Sequence, residues 1–423
     1  MGDGAANRLL RGRHLISAHM PVFRWTQRQD IGPPPRSGFG MAFDPVRGVA
    51  VLFGGQVQGG ELRGDTWEWD GAFWTQVAST GPAARMGLTL SYDLLHNRCL
   101  LFGGTGEGTF ADTWAWNGTY WTQLADTGPA GRLQHAAAYD SLRKRLVLFG
   151  GLDRGGELRG DTWEYDGRDW VQAAETGPAP RSSHCMAFDP ATRKMLVFGG
   201  ATASGTVADT WAWDGLTWTE VADTGPSPRE GAVWAATGTT LVLHGGCAEP
   251  VGPKIPIFAD TWQWMQGQWT QVQNLGPAAR AYHGLVNDGL RQRLVLFGGT
   301  AGAAACGDTW DADSPASGVR VVSVTVSPTT VPRDGQVTLT ISLSDDPRGV
   351  EVSSWIGSYQ MTDHPLIELE TISYTGSVHT TSLQVSQINE RMATEWGVEW
   401  PGVRFWAGVG GQSEAHADLL IVE

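Results

Sequence analysis

Several function classes are excluded by what this sequence has little of. Only 17% of the 423 residues are charged and the net charge is −14. Negative charge spread along a chain favours solubility and argues against nucleic acid as a partner. No apolar run approaches the roughly 20 residues that a membrane helix needs, so no membrane span is expected. Cysteine is sparse. Cys99, Cys185, Cys247 and Cys306 are scattered, without a CxxC pair or a paired histidine spacing. That pattern does not make a zinc site, and neither metal nor cofactor is expected. Cys99 and Cys185 sit in apolar strand-like runs and read as core thiols. Cys247 and Cys306 each follow a Gly-Gly pair in adjacent repeats, and sequence leaves open whether they pair. The first 19 residues hold Arg8, Arg11 and Arg13 but no signal-peptide core and no twin-Arg pair. They read as a disordered arm, residues 1–20, with Met1 and Met20 as alternative starts and a cytoplasmic location as the default expectation.

What the sequence does have is tryptophan and glycine, 21 and 57 residues, arranged in repeats. The word "FRWTQ" (23–27) returns as "FWTQ" (73–76), "YWTQ" (120–123), "TWTE" (217–220) and "QWTQ" (268–271), with a degraded "DWVQ" at 169–172. Arg36, Arg85, Arg132, Arg181, Arg229 and Arg280 recur at a spacing near 48 residues. A Gly-Gly pair follows each, and a "DTW" word follows each pair, at Asp65, Asp112, Asp161, Asp209, Asp260 and Asp308. One unit reads as four short strands, "GFGMAFD" (a), "GVAVLFGG" (b), "DTWEWD" (c) and "AFWTQVA" (d). They are rich in aromatic and β-branched residues and separated by turn words. A single such sheet cannot bury both aromatic faces, so the sheets must stack. The sixth unit dissolves after "GDTW" into "DADSPASG" and lacks its strand d. The orphan "FRWTQ" at the start supplies it.

The Gly pairs, the Trp of "DTW" and the Trp of "WTQ" at this spacing resemble the kelch-repeat β-propeller family of the galactose-oxidase-like superfamily, over roughly residues 21–310. The resemblance implies an all-β fold, a six-bladed kelch β-propeller over 21–317 closed by an N-terminal strand. After Gly318 the pattern changes to strong alternation, as in "VRVVSVTVSP". Residues 318–423 resemble a bacterial immunoglobulin-like β-sandwich without the usual disulfide, with "RFWAGVGG" and "AHADLLIVE" as its closing hairpin.

Strand parity places the b–c and d–a loops on one rim and the tight a–b and c–d turns on the other. The b–c loops are longer and more varied, "CAEPVGPKIPIFA" most of all, so function is expected on that rim, over the central channel. His135, His184 and His283 recur at one register and read as structural, as do the six arginines. The fifth repeat departs from its siblings, with Glu230 at the rim and His244 where the others have Phe. The candidate ligand site is therefore Glu230, His244, Tyr282 and His283, with Gln134 and Ser183 across the channel. Arg63 and Arg159, from twin "GGELRGDTW" loops, would add positive charge.

Two classes of function follow. The first is a binding or scaffold protein for a protein or glycan ligand. The second is a carbohydrate-active enzyme with its site at the channel mouth. Copper oxidases of the superfamily need a Tyr, His and Tyr-linked Cys set that does not align here. The Glu-x3-Asp-x3-His iron motif of nitrile-specifier proteins is half matched by Glu61…Asp65 and Glu157…Asp161, then broken by Trp69 and Tyr165. An epimerase-like reading would use Glu230 and His244 as an acid–base pair. The binder is the primary expectation.

Overall fold

Each repeat becomes one antiparallel sheet because its four words alternate side chains between two faces that must both be covered. The computed structural model describes residues 23, 25–28, 31–249, 254–272 and 276–313, together with the strands between 321 and 422. The expected arm over 1–20 and the boundary near 317 lie outside the described residues. Architecture is all-β, with no helix among the described residues. In the first sheet the strands are Gly40–Asp44 (a), Val49–Phe53 (b), Thr66–Trp69 (c) and Trp74–Ala78 (d). Five more four-stranded sheets appear among the described residues. The innermost strands neighbour one another in chain order, and that of the sixth sheet returns to that of the first.

The sixth sheet answers the question raised by the orphan word. Its strands Gly284–Asp288, Arg293–Phe297 and Thr309–Asp313 are completed by Trp25–Gln27, which pairs antiparallel with Thr309–Asp313, Trp25 opposite Ala312. Three residues make a short strand, so its flanks are anchored too. Phe23 is 1% exposed among Val272, Leu285 and Leu294. Arg28 donates from its backbone N–H to Thr309 O at 2.7 Å and from Nε to Asp311 Oδ2 at 2.7 Å.

Buried polar groups explain why the same words recur. All six repeat arginines are at most 1% exposed. The Arg36 guanidinium donates to Gly54 O at 2.9 Å and forks onto the Asp65 carboxylate at 2.6 and 2.9 Å, and the other five repeat this pattern. Bidentate geometry of this kind is what guanidinium supplies and ammonium does not. Burial alone would raise the Asp65 carboxyl, but the hydrogen bonds from Arg36 and Trp67 outweigh it and hold the group below its ordinary range. The arginine backbone meanwhile bonds the preceding repeat, Gly55 N–H donating to Arg85 O at 2.8 Å. Each arginine thus ties two sheets together, the structural role expected of it. Tryptophan ties them again: Trp121 Nε1 donates to Thr66 Oγ1 of the preceding sheet at 2.8 Å, and Trp170, Trp218, Trp269 and Trp74 do the same in turn.

In the C-terminal segment, Val321–Ser327, Gln336–Leu343 and Val378–Gln384 form a three-stranded sheet. A five-stranded sheet runs Thr330–Pro332, Ala415–Val422, Gly402–Val409, Glu351–Gly357, Ile367–Ser373, its first pair parallel. Gly402–Val409 and Ala415–Val422 make the expected hairpin.

Candidate functional site

Two residues past each repeat arginine, the chain turns through the left-handed region. Gly38, Gly87 and Gly231 stand at this position in three repeats, with φ between 63° and 67°. Gln134, Ser183 and Tyr282 stand there in the other three, with φ of 54°, 54° and 56°. A side chain in that region costs roughly 1–2 kcal/mol, so three of six repeats spend energy to place one at the axis. The six positions also bond to one another. Each N–H donates to the carbonyl of the same position one repeat earlier, Gly87 to Gly38, Gln134 to Gly87, Ser183 to Gln134, Gly231 to Ser183 and Tyr282 to Gly231, at 2.7–2.8 Å. Gly38 closes the circuit onto Tyr282 O at 3.1 Å.

Tyr282 leans back across this circuit. A Cβ at Gly231 would stand 2.9 Å from Tyr282 Cε1, so glycine there is what admits the ring. Glu230, one residue earlier, is bridged to Cys247 by a pair of backbone hydrogen bonds of 2.8 Å. Glu230, Tyr282, Ser183 and Cys247 therefore converge. Burial raises the Glu230 carboxyl above its ordinary range, and the charge of Glu249 adds to this, while the Tyr282 and Ser183 hydroxyls oppose it. Burial, then the Glu230 charge, pushes the Cys247 thiol up to about 11. Tyr282 is raised by burial and by the same carboxylate. Ser183 is 8% exposed, and its Oγ makes no hydrogen bond of regular geometry. Cys247 is the member that sequence reasoning left out of the site. Its position directly after a Gly pair, opposite the residue that follows a repeat arginine, was the available signal. It is a free thiol, as is Cys306, so the two do not pair.

The remaining expected site residues lie elsewhere. His244 is fully buried between sheets, its ring centroid 5.7 Å from that of Trp25 and 5.4 Å from that of His283. Its Nδ1 lies 3.0 Å from Thr261 Oγ1. Burial drives its pKa down to about 3, and Arg280 adds to this. His244 thus takes over the packing role of its Phe siblings, and does not pair with Glu230 at a channel mouth. His283, 4% exposed, wedges against His244 as His135 does against Phe102 and His184 against Phe149. Burial lowers its pKa, with His244 and Arg280 adding. Arg63 is held by Glu61 at 3.1 Å and lines a cleft of about 740 Å³ with Trp67 and Pro82. Arg159 is held by Asp153 and Glu157 of its own loop. Neither offers an unopposed charge to the Glu230 group. Among the described residues no cluster of three or more His, Cys, Asp or Glu is placed to hold a metal ion.

The innermost strands leave an opening toward the rim of the tight turns. A cavity of about 260 Å³ is lined by Met41, Leu90, Ala137, Met186, Trp234 and Leu285, and by the a–b turn residues Pro45, Leu94, Ser141, Pro190 and Gly289. It lies toward the tight turns, and the hydrogen-bonded circuit encircles the axis at the other rim.

Comparisons agree with this geometry at the level of repeat class. Residues 115–299 match the family described as the KLHDC2/KLHL20/DRC7 Kelch-repeats domain. Among solved structures the fold is similar to that titled "Structure of YjhT", with a TM-score of 0.54 and 16% sequence identity, covering 66% of this chain and 95% of that one. No curated protein matches the chain.

Proposed function

We propose that this chain is a protein-binding or scaffold protein, built on a six-bladed kelch propeller over residues 21–317 with an immunoglobulin-like sandwich over 318–423, and that it receives its partner on the b–c/d–a rim. The kelch-repeat match supports a protein partner. One observation favours the rim. On the opposite face the turn acids are consumed by their own turns: Asp44 Oδ1 accepts the N–H groups of Val46 and Arg47, and Asp70 Oδ1 those of Ala72 and Phe73. On the b–c/d–a rim, Glu230, Tyr282 and Ser183 converge with hydrogen-bonding capacity left over. The epimerase-like alternative loses its second group, since His244 is sealed between sheets.

The test is photo-crosslinking in the source cells from p-benzoylphenylalanine at two sites. One is Gln134, at the rim. The other is Leu216, 83% exposed on a c–d turn of the opposite face. A discrete protein adduct from position 134 and none from 216 is expected. The reverse outcome would overturn the assignment of the face.

A further inference from the structure

Among the described residues, nearly every carboxylate that is withdrawn from solvent has a cation or a backbone N–H against it. The six "DTW" aspartates take guanidinium forks. The a–b turn aspartates Asp44, Asp93, Asp140, Asp189 and Asp288 take turn N–H groups. Glu68 and Glu164 take Arg47 and Arg143, and Asp311 takes Arg28 and Arg293. Glu230 is the exception among the described residues. Its neighbours are the hydroxyls of Tyr282 and Ser183, the Cys247 thiol and a second acid, Glu249. Glu249 is itself turned aside, accepting the N–H of Thr206 at 3.0 Å. A withdrawn carboxylate without a counter-charge is costly, and such a site gains most from a cation delivered by a ligand.

An independent observation points the same way. Ser183 is more than nine-tenths buried, has no regular hydrogen bond for its Oγ, and faces Glu230 from the neighbouring repeat. Ser183 and Tyr282 occupy left-handed positions at which other repeats keep glycine. The arrangement brings together one anionic oxygen pair and two hydroxyls, which suits a group with several N–H donors and one positive charge.

We propose that the Glu230–Tyr282–Ser183 group is a receptor for a single cationic side chain, lysine or arginine, carried by the partner protein. The proposal rests on the rim reading given above and names the partner chemistry that the reading leaves open. The ammonium or guanidinium donates to the Glu230 carboxylate and to the Ser183 Oγ, and Tyr282 packs along the aliphatic stem.

The experiment uses the full chain labelled with 3-fluorotyrosine. Seven ¹⁹F resonances are expected for its seven tyrosines, with Tyr282 assigned through Tyr282→Phe. The probes are N-acetyl-lysinamide and N-acetyl-argininamide, with N-acetyl-norleucinamide as the uncharged control. A saturable shift of the Tyr282 resonance with a cationic probe is expected, at least about tenfold weaker with the control and in Glu230→Gln. Ser183→Ala, a smaller perturbation, should weaken the probe severalfold while the other six resonances stay in place. Binding should also fall with pH as Glu230 protonates. Equal shifts from norleucinamide, or an unchanged titration in Glu230→Gln, would overturn the proposal. So would the absence of any shift. Failure here with a persisting crosslink from position 134 sinks the cation receptor and leaves the rim reading intact. Loss of the crosslink with an intact titration does the opposite.

Discussion

The first four sheets and the joint between the fifth and sixth solve the same packing problem differently. In the regular part each strand-d tryptophan packs on a phenylalanine of the preceding strand b, as in Phe53–Trp121, Phe102–Trp170, Phe149–Trp218 and Phe198–Trp269, with centroids 4.9–5.1 Å apart. At the joint the pair is His244–Trp25, at 5.7 Å. The regular sheets carry a register shift after the "DTW" threonine, between strands c and d. The fifth sheet runs without it. As a result Val272 is 2% exposed against Phe23, whereas Val77 and Val221 are 37% and 38% exposed. A joint made by a three-residue strand has few ladder hydrogen bonds, so apolar burial from outside the strand carries more of the load.

The contrast can be broken by removing what is special to the joint. Phe23→Ala should cost about 3–5 kcal/mol, as for other buried aromatics, and urea unfolding followed by tryptophan fluorescence would read it. A loss under about 1 kcal/mol would mean that the joint does not depend on this anchor.

Acid offers a sharper probe. His244 is neutral in the folded chain, with its pKa near 3 against about 6.5 when exposed. Between those values the unfolded chain binds the extra proton, so stability falls as pH drops from 6.5 toward 3. At pH 5 this histidine should account for roughly 2 kcal/mol, and His244→Phe should remove that share of the acid sensitivity. The "DTW" aspartates, lowered from 3.8, keep their contribution above that value and lose it only as pH falls further, so the measurement between pH 7 and 5 reads the histidine apart from them. A His244→Phe variant that loses as much stability as the parent chain between pH 7 and 5 would refute the assignment.

Two smaller effects refine the comparison. Val272→Ala should cost about 1–2 kcal/mol for its buried methyl groups, and Val77→Ala within about 0.5 kcal/mol of nothing. Equal losses would show that the missing register shift has no energetic consequence. Ser183→Gly should stabilise the chain by about 1 kcal/mol, through release of left-handed backbone strain. Destabilisation would show that the serine side chain holds the fold together.

Repetition made most of this legible in the sequence. Glycine pairs, "DTW" and "WTQ" mark strand ends because each carries a turn, a buried fork or a cross-sheet donor that no other residue supplies. "FRWTQ" without its preceding words was enough to locate the missing strand. The site was harder. Glu230, Tyr282, Ser183 and Gln134 were reached through their register after the arginines, but that register does not say which way a side chain leans. The glycines at 38, 87 and 231 carried the missing hint, since glycine shared with Gln, Ser and Tyr at one position signals a left-handed turn. His244 misled because a lone histidine among phenylalanines suggests chemistry. Its neighbours fix it as a packing residue, and those neighbours include Trp25, which is 219 positions away in the chain.

The circuit of six amides around the axis runs in one sense only, every donor pointing to the repeat before it. Such a homodromic ring has dipoles that circulate and cancel, so it presents no net field along the axis, unlike a helix end. Its longest link, Gly38 to Tyr282, is the only one that joins the first repeat to the last. Amide hydrogen exchange should therefore leak first at Gly38, the point at which this molecule's ring begins to breathe.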